Sequence, residues 1–438
     1  MAEPAAVLSA GRRPDALRAR PDDVLAAAPA TASRRRDALV GLLLGLIGAI
    51  VCARAAATLD ARWFDTARAS DLWFEGDLPR VAAEMTDRWG AHSRSTVHPL
   101  FSLVALGLTT PLRVAGLTRL HAVAVVVGVF AFVWTAGMFA LLRIARLPRV
   151  DAAIFTALAA TSAAGMFWLT VPETYAIGSA TIVAALAVAG IAERTPLDER
   201  WFVGASAASL SITVTNWAAG VCAATWLLPW RRAVQVTANA LAIVVLLWSV
   251  QRAVVPHADF FVGYSNEQRY FLREEAGGPG AVLRSLLVHT MVMPRIGTVE
   301  KPRRGAILTV QRAPIGSGGA MGWMATALWS VLLAMGAWST WKASRRSRLP
   351  TVVAAVLAAE IGLHLIYGTE TFLYALNVAP LVVFVAAMSA RTPRLRRLAR
   401  LVACALVVCN VVNNGRQWRD ARGAVGARTA WQATASAR

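Results

Sequence analysis

The chain is poor in charge, and poorest in negative charge. Only 16% of its residues are Asp, Glu, Lys or Arg, against roughly a quarter in soluble domains, which excludes an ordinary domain folded in water. Its four cysteines, Cys52, Cys222, Cys404 and Cys409, all fall inside apolar stretches without paired-ligand spacing. Neither a zinc site nor a disulfide framework fits them. Lysine is almost missing: of 45 basic residues only Lys301 and Lys342 are lysine. With abundant alanine, that bias reads as codon usage in a GC-rich genome, and no nucleic-acid partner is expected. The net charge of +20 has a simpler use in fixing membrane orientation. No Gly-rich phosphate loop follows a strand, no soluble stretch is long enough for a nucleotide-binding domain, and no Asp-x-Asp pair stands in a candidate cytoplasmic loop. Asp22-Asp23 lies in the N-terminal segment and reads as a solvated turn.

What the chain does have is length of apolar sequence. It is 57% hydrophobic with a mean hydropathy of +0.51, and its apolar runs approach the ~20 residues that a spanning helix needs. This predicts an all-α polytopic membrane protein with about eleven transmembrane helices and two large outer loops. No alternating pattern suggests a barrel. Residues 1–37, rich in Ala, Pro and Arg, read as a disordered cytoplasmic tail. The transmembrane domain covers 38–414, and 415–438 is a C-terminal tail. Spans are expected at 38–58, 120–142, 151–169, 175–192, 234–253, 320–341, 351–367, 373–390 and 400–414, with two short ones across 201–230 hinged near Thr215-Asn216. An Arg at position 54, inside a loosely cleavage-like flank, argues that the first helix is retained rather than removed as a signal peptide. Arg143, Arg146 and Arg149 belong inside. The run at 98–112 then cannot cross, and becomes a re-entrant or interfacial segment in the first outer loop, 59–119. The second outer loop is 254–319. The N-terminus is cytoplasmic on this count, in a multi-pass protein of the cell membrane.

Against this apolar background the carboxylates cluster. Asp60, Asp65, Asp71, Glu75, Asp77, Glu84 and Asp87 follow the first span, and charge held beside a bilayer is a functional-site hypothesis by default. The topology collects Glu75, Asp77, Arg80, Arg88, His92, Arg94, His98, Glu173, Glu370 and Tyr374 on the outer side. A carboxylate there can take a proton from an acceptor hydroxyl, while Arg and His stabilise a phosphate leaving group. The bland readings are specific too. Asp77 stands before Pro79 as a helix cap would, and Arg80, Glu84 and Arg88 have the spacing of intrahelical ion pairs. Glu173 reads equally as a turn cap. His92 and His98 match no compact metal site, yet a divalent cation shared by Asp77, Glu173 and a phosphate stays open. Glu360 and His364, four apart inside the ninth span, read as a buried pair bracing helices or as a proton relay. In the second loop Phe260 to Tyr264 and Tyr270 to Arg273 suit a lipid–water interface or a roof over the site, and Ala276 to Gly280 reads as a lid hinge or a turn.

One arrangement of motifs resembles a known family. Trp73-Phe74-Glu75-Gly76-Asp77 is followed by Arg80-Val81-Ala82-Ala83-Glu84-Met85, then by Val97-His98-Pro99-Leu100-Phe101, then by Pro172-Glu173-Thr174-Tyr175. The order is similar to that of the C-type (GT-C) superfamily of membrane glycosyltransferases, near its protein mannosyltransferase, aminoarabinose transferase and lipopolysaccharide-core transferase branches. The resemblance covers about residues 38–195 and is architectural beyond. It implies a catalytic acid in the first outer loop, a second acid at a later outer turn, and a polyprenyl-phosphate sugar as donor. The acceptor would be a glycan, lipid or protein, met at the outer face of a bacterial inner membrane beside membrane lipids. The usual Asp-Glu pair is replaced by Glu75 and Asp77, two apart, which leaves open which is the base. The rival expectation is a secondary transporter or lipid flippase of the cell envelope, which would place ionisable groups on broken helices near mid-bilayer.

Overall fold

The computed structural model describes residues 31–64, 71–262, 266–301 and 305–436. The expected tail at 1–30 therefore lies outside the described residues. Positions 31–37 are already helical, as the start of α1 (Thr31–Ala57). Among the described residues eight helical segments are long and apolar enough to cross a membrane, so the chain is a multi-pass helix bundle. They are α1, α4 (Arg119–Ile144), α7 (Tyr175–Ala192), α10 (Trp230–Val254), α12 (Ala320–Ser344), α13 (Leu349–Ile366), the segment Thr371–Arg391 built around α14 (Ala375–Ala387), and α15 (Arg396–Ser436).

Three expected spans are shorter or broken. The third divides into α5 (Arg149–Thr161) and α6 (Ala163–Trp168), because Ser162 turns the chain and its hydroxyl accepts the Gly165 N–H at 3.0 Å, capping the second piece. The 201–230 region is α8 (Glu199–Ile212) and α9 (Trp217–Leu227), joined by a turn at Val214–Asn216 where the hinge was expected. A reciprocal amide pair holds that hinge to α14: Asn377 donates to Asn216 at 3.0 Å, and Asn216 donates back at 3.4 Å. Both amides are buried, and each satisfies the other where water cannot.

The bundle has two polar ends. At the arginine end Asp37 of α1 bonds Arg143 and Arg149 at 2.6 Å each, and buried Asp151 of α5 takes Arg396 and Arg400 of α15 at 2.7 and 2.8 Å. At the opposite, loop end lie α2 (Leu78–Glu84), α3 (Phe101–Val114), α11 (Gly278–Arg284) and a hairpin of β1 (Gly297–Lys301) with β2 (Gly305–Thr309), a small departure from an all-helical chain. The hairpin joins the first loop where Leu308 N–H bonds Leu72 C=O at 3.1 Å. Both ends of α3 stay in this layer: Leu100 N–H bonds Ser211 C=O, and Thr109 and Arg113 bond the carbonyls of Met85 and Thr86. α3 is therefore a helix of the loop layer, as its length implied.

α14 sits at the centre, every residue of it buried. Gly336 lets α12 reach it: a Cβ there would stand 2.3 Å from the Val385 carbonyl oxygen. Of the C-terminal tail expected at 415–438, residues 415–436 instead continue α15, and 437–438 lie outside the described residues. This continuation folds over the loop end, where Trp418 donates to Thr170 at 3.2 Å and Arg422 to the Thr58 carbonyl at 2.8 Å.

Candidate functional site

A strained loop aims the site. Asp71, Phe74 and Glu75 have φ of 62°, 50° and 63°, in the left-handed region that non-glycine side chains seldom adopt. Such backbone persists only where its surroundings over-determine it. The anchor is aromatic and buried. Trp73 stacks on Phe167 at 5.5 Å, and Phe74 meets Phe167 and Phe372 edge-on at 5.6 and 5.3 Å. Gly76 has no room for a side chain, since a Cβ would lie 2.9 Å from the Trp73 carbonyl oxygen. From this clamp Glu75 and Asp77 emerge on the wall of a cavity of about 730 Å³ at the loop end.

Asp77 occupies the residue before α2, yet its side chain makes no capping bond. It turns to two cations instead, an ion pair with Arg80 and a contact with Arg94 Nε at 3.5 Å. Its backbone N–H is fixed from behind by Glu173 Oε1 at 2.6 Å. Arg94 also donates to Glu267 at 2.6 Å. Burial works against the charge on Arg94, but Glu267 together with Tyr175, Tyr367 and Tyr374 outweighs it and lifts the guanidinium's pKa above its ordinary value. Glu75 accepts from Lys301 of β1 and from Thr369. Tyr367 donates to Glu267, and Tyr374 completes the wall, edge-on to Tyr175 at 5.9 Å. The cavity thus presents carboxylates and guanidiniums side by side, over an aromatic wall, at the end of an apolar bundle.

Several expected site residues stand behind the cavity rather than on it. Glu173 is 4% exposed, and its second oxygen accepts the Thr174 N–H at 2.9 Å, so it braces Asp77 instead of facing a ligand. Burial pushes its pKa up to about 7. His98 bonds Ile212 C=O at 2.9 Å and approaches Thr174 Oγ1 at 3.5 Å. Burial and the nearby Arg94 push it down to about 3, so it is neutral and ties α3 to α8. His92 spends both ring nitrogens, on Ser102 Oγ and Asp87 C=O at 2.8 Å each, and burial lowers its pKa. Glu370 accepts from Thr309 and from Val310 N–H at 3.2 Å, joining β2 to the start of the α14 segment, with its pKa raised by burial to about 7. Arg88 is a correction: α2 stops at Glu84, and the exposed Arg88 guanidinium lies 4.5 Å over the Trp89 ring. The expected Arg80–Glu84–Arg88 face does not exist. Glu84 itself is buried beneath the cavity, and burial raises its pKa to about 7.

Tyr270, from the aromatic-basic string expected at an interface or as a roof, lines the cavity; Glu267, Arg269 and Tyr367 line it too, and nothing in the sequence singles them out. Phe260 and Phe261 pack beside Trp248 instead, and Gly263 and Tyr264 lie outside the described residues. Gly277 and Gly278 form the left-handed turn that starts α11. No group of three or more His, Cys, Asp or Glu side chains placed to hold a metal is found among the described residues. Glu173 meets Asp77 through the Asp77 backbone N–H. Comparison with models of known protein families, with curated proteins and with solved structures finds no match to this chain.

Proposed function

We propose that the loop-end cavity is the reaction centre of an inverting membrane glycosyltransferase that moves a sugar from a polyprenyl-phosphate donor to an acceptor hydroxyl. The observation that carries this reading is Asp77: a carboxylate on the cavity wall, flanked by Arg80 and Arg94 and pinned by Glu173. Asp77 accepts the acceptor's proton as its oxygen attacks the anomeric carbon. The bond to the lipid phosphate breaks, and the departing anion meets Arg80, Arg94 and Arg269, which line the same cavity. Glu75, tied to Lys301 and Thr369, positions the acceptor. Orientation beside fixed dipoles in a part-dry cleft supplies most of the acceleration.

The C-type glycosyltransferase reading rests on the same residues. Counting α5–α6, α8 and α9 beside the eight long helices, the chain crosses about eleven times, with the arginine end and the N-terminus cytoplasmic. The test is direct. The purified protein in lipid, given labelled polyprenyl-phosphate sugars, releases lipid phosphate and forms a glycosylated acceptor. Failure across donors of several sugar classes, with a folded protein, defeats the proposal.

One observation favours a secondary transporter or lipid flippase. Glu360 and His364 are buried inside α13 at 3.5 Å from each other, and both ring nitrogens of His364 lack a hydrogen-bond partner among the described residues. Substrate counterflow in sealed vesicles, without chemical change, distinguishes that reading.

A further inference from the structure

A second cavity, of about 820 Å³, opens at the arginine end between the α4–α5 turn, the α7–α8 turn and the adjoining ends of α12 and α14. Arg146, Arg194, Arg346 and Arg391 line it, together with Lys342 and Arg345. Basic residues are expected at a cytoplasmic end, so their number alone means little. Their pairing is what sets this cluster apart. Nearby, Arg143 and Arg149 share Asp37, and Arg396 and Arg400 share Asp151. Among the described residues Arg146, Arg194, Arg346 and Arg391 form no ion pair with a carboxylate. Glu193, the one acid in the lining, is already committed. It accepts the Arg348 and Leu349 N–H groups at 2.8 and 3.2 Å and the Ser347 hydroxyl at 2.9 Å, capping α13 from outside. The charges are mutually felt: desolvation first, then the Arg146 charge, lower the pKa of Arg194, and Glu193 offsets them only in part.

Below the guanidiniums the cavity has an apolar side made by Leu349, Phe384 and Met388. Beside it Trp338 and Trp341 are exposed, with Lys342 lying 3.5 Å over the first ring and Arg345 4.4 Å over the second. Exposed tryptophans of this kind sit at headgroup level. Convergent guanidinium forks match phosphate oxygens bidentately, and basic pockets between spanning helices suit phosphate headgroups. We propose that this cleft binds a phosphate-bearing polyanion, either a lipid headgroup carrying two phosphates or a free diphosphate, through Arg146, Arg194, Arg346 and Arg391. The site is separate from the loop-end cavity, and its existence does not depend on the chemistry proposed there.

The test uses the full chain in phosphatidylcholine nanodiscs at fixed ionic strength, with cardiolipin as the lipid probe in one arm and inorganic diphosphate as the soluble probe in the other. Saturable binding is expected in at least one arm, and the arm that saturates names the source. Arg146→Gln with Arg391→Gln lowers that affinity by about tenfold or more. Arg231→Gln, an exposed cation at the same end but outside the cleft, leaves it within about twofold. If the double Gln variant does not fold, the charge-keeping pair Arg146→Lys and Arg391→Lys is read instead. It retains net charge but loses the bidentate fork, and weakens binding by about threefold or more. Absence of saturation in both arms overturns the proposal. So do equal losses with Arg231→Gln, or unchanged affinity in whichever arginine pair folds.

Discussion

Glu173 supports the site from behind, and its removal tests that support in two ways. Its two oxygens accept the N–H groups of Asp77 at 2.6 Å and of fully buried Thr174 at 2.9 Å. Glu173→Ala strands both donors, at a cost of about 1–3 kcal/mol each. The ionised carboxylate is itself costly. Its pKa is about 7 in the folded protein against the model-compound 4.5, and at 1.36 kcal/mol per unit that is on the order of 3 kcal/mol. The sign follows from which state holds the proton. Between pH 4.5 and 7 the unfolded chain has released it and the folded chain has not, so stability is highest below about 4.5 and falls until pH passes 7. Wild-type protein in detergent should therefore melt higher at pH 5 than at pH 8. Glu173→Gln cannot ionise, so it should show a shallower slope, although its NH2 group leaves one of the two backbone donors unpaired at a cost of about 1–3 kcal/mol. Some slope remains, because Glu84 and Glu370 are also raised to about 7, while below pH 6.5 the lowered pKa values of His98 and His92 act with the opposite sign. An unchanged slope in Glu173→Gln, or a Glu173→Ala protein that melts with wild type, refutes the reasoning.

Two further predictions concern the frame. Gly336→Ala places a Cβ 2.3 Å from the Val385 carbonyl oxygen and 2.5 Å from Ala386 Cα. Backbone cannot swing aside, so α12 must retreat from α14 at a cost of about 1–3 kcal/mol or more, seen as a lower melting temperature or lost expression. Asp151→Asn leaves Arg396 and Arg400 without their shared carboxylate at the α5–α15 crossing. Since both arginines are partly exposed, the expected loss in a thermal melt is about 1–3 kcal/mol, below that of a fully buried pair.

The spans were legible because hydropathy alone marks them: α7 and the hinge at Val214–Asn216 stand where the apolar pattern put them. α15 was not. Its apolar run ends near 414, but Ala and Arg are good helix formers, and the helix continues over the loop end on packing from Trp418 and Arg422. In the site, Glu75, Asp77, Arg80, Arg94 and Tyr374 line one cavity, and local clustering after the first span had marked all but Tyr374, which topology placed. Arg88 and His92 lie off the cavity for a local reason: α2 ends a turn early, and Asp87 C=O and Ser102 claim the His92 ring. Glu267 joins Arg94 and Lys301 joins Glu75 across 173 and 226 residues of sequence, and Tyr367 reaches Glu267 across 100. No spacing rule encodes such contacts, and only the folded second loop brings them in.

The central claim is that the Asp77 carboxylate does the proton chemistry, and single-turnover sugar transfer from a polyprenyl-phosphate donor in wild type and Asp77→Asn tests it most directly. The substitution preserves shape and removes the charge held between Arg80 and Arg94. The expected result is a rate lower by about 10²–10⁴-fold, the range for loss of a general base, in protein that still folds and binds donor, with a melting temperature somewhat lowered because Arg80 and Arg94 lose their shared carboxylate. Asp77→Asn protein that folds, binds donor and transfers sugar at the wild-type rate contradicts the account.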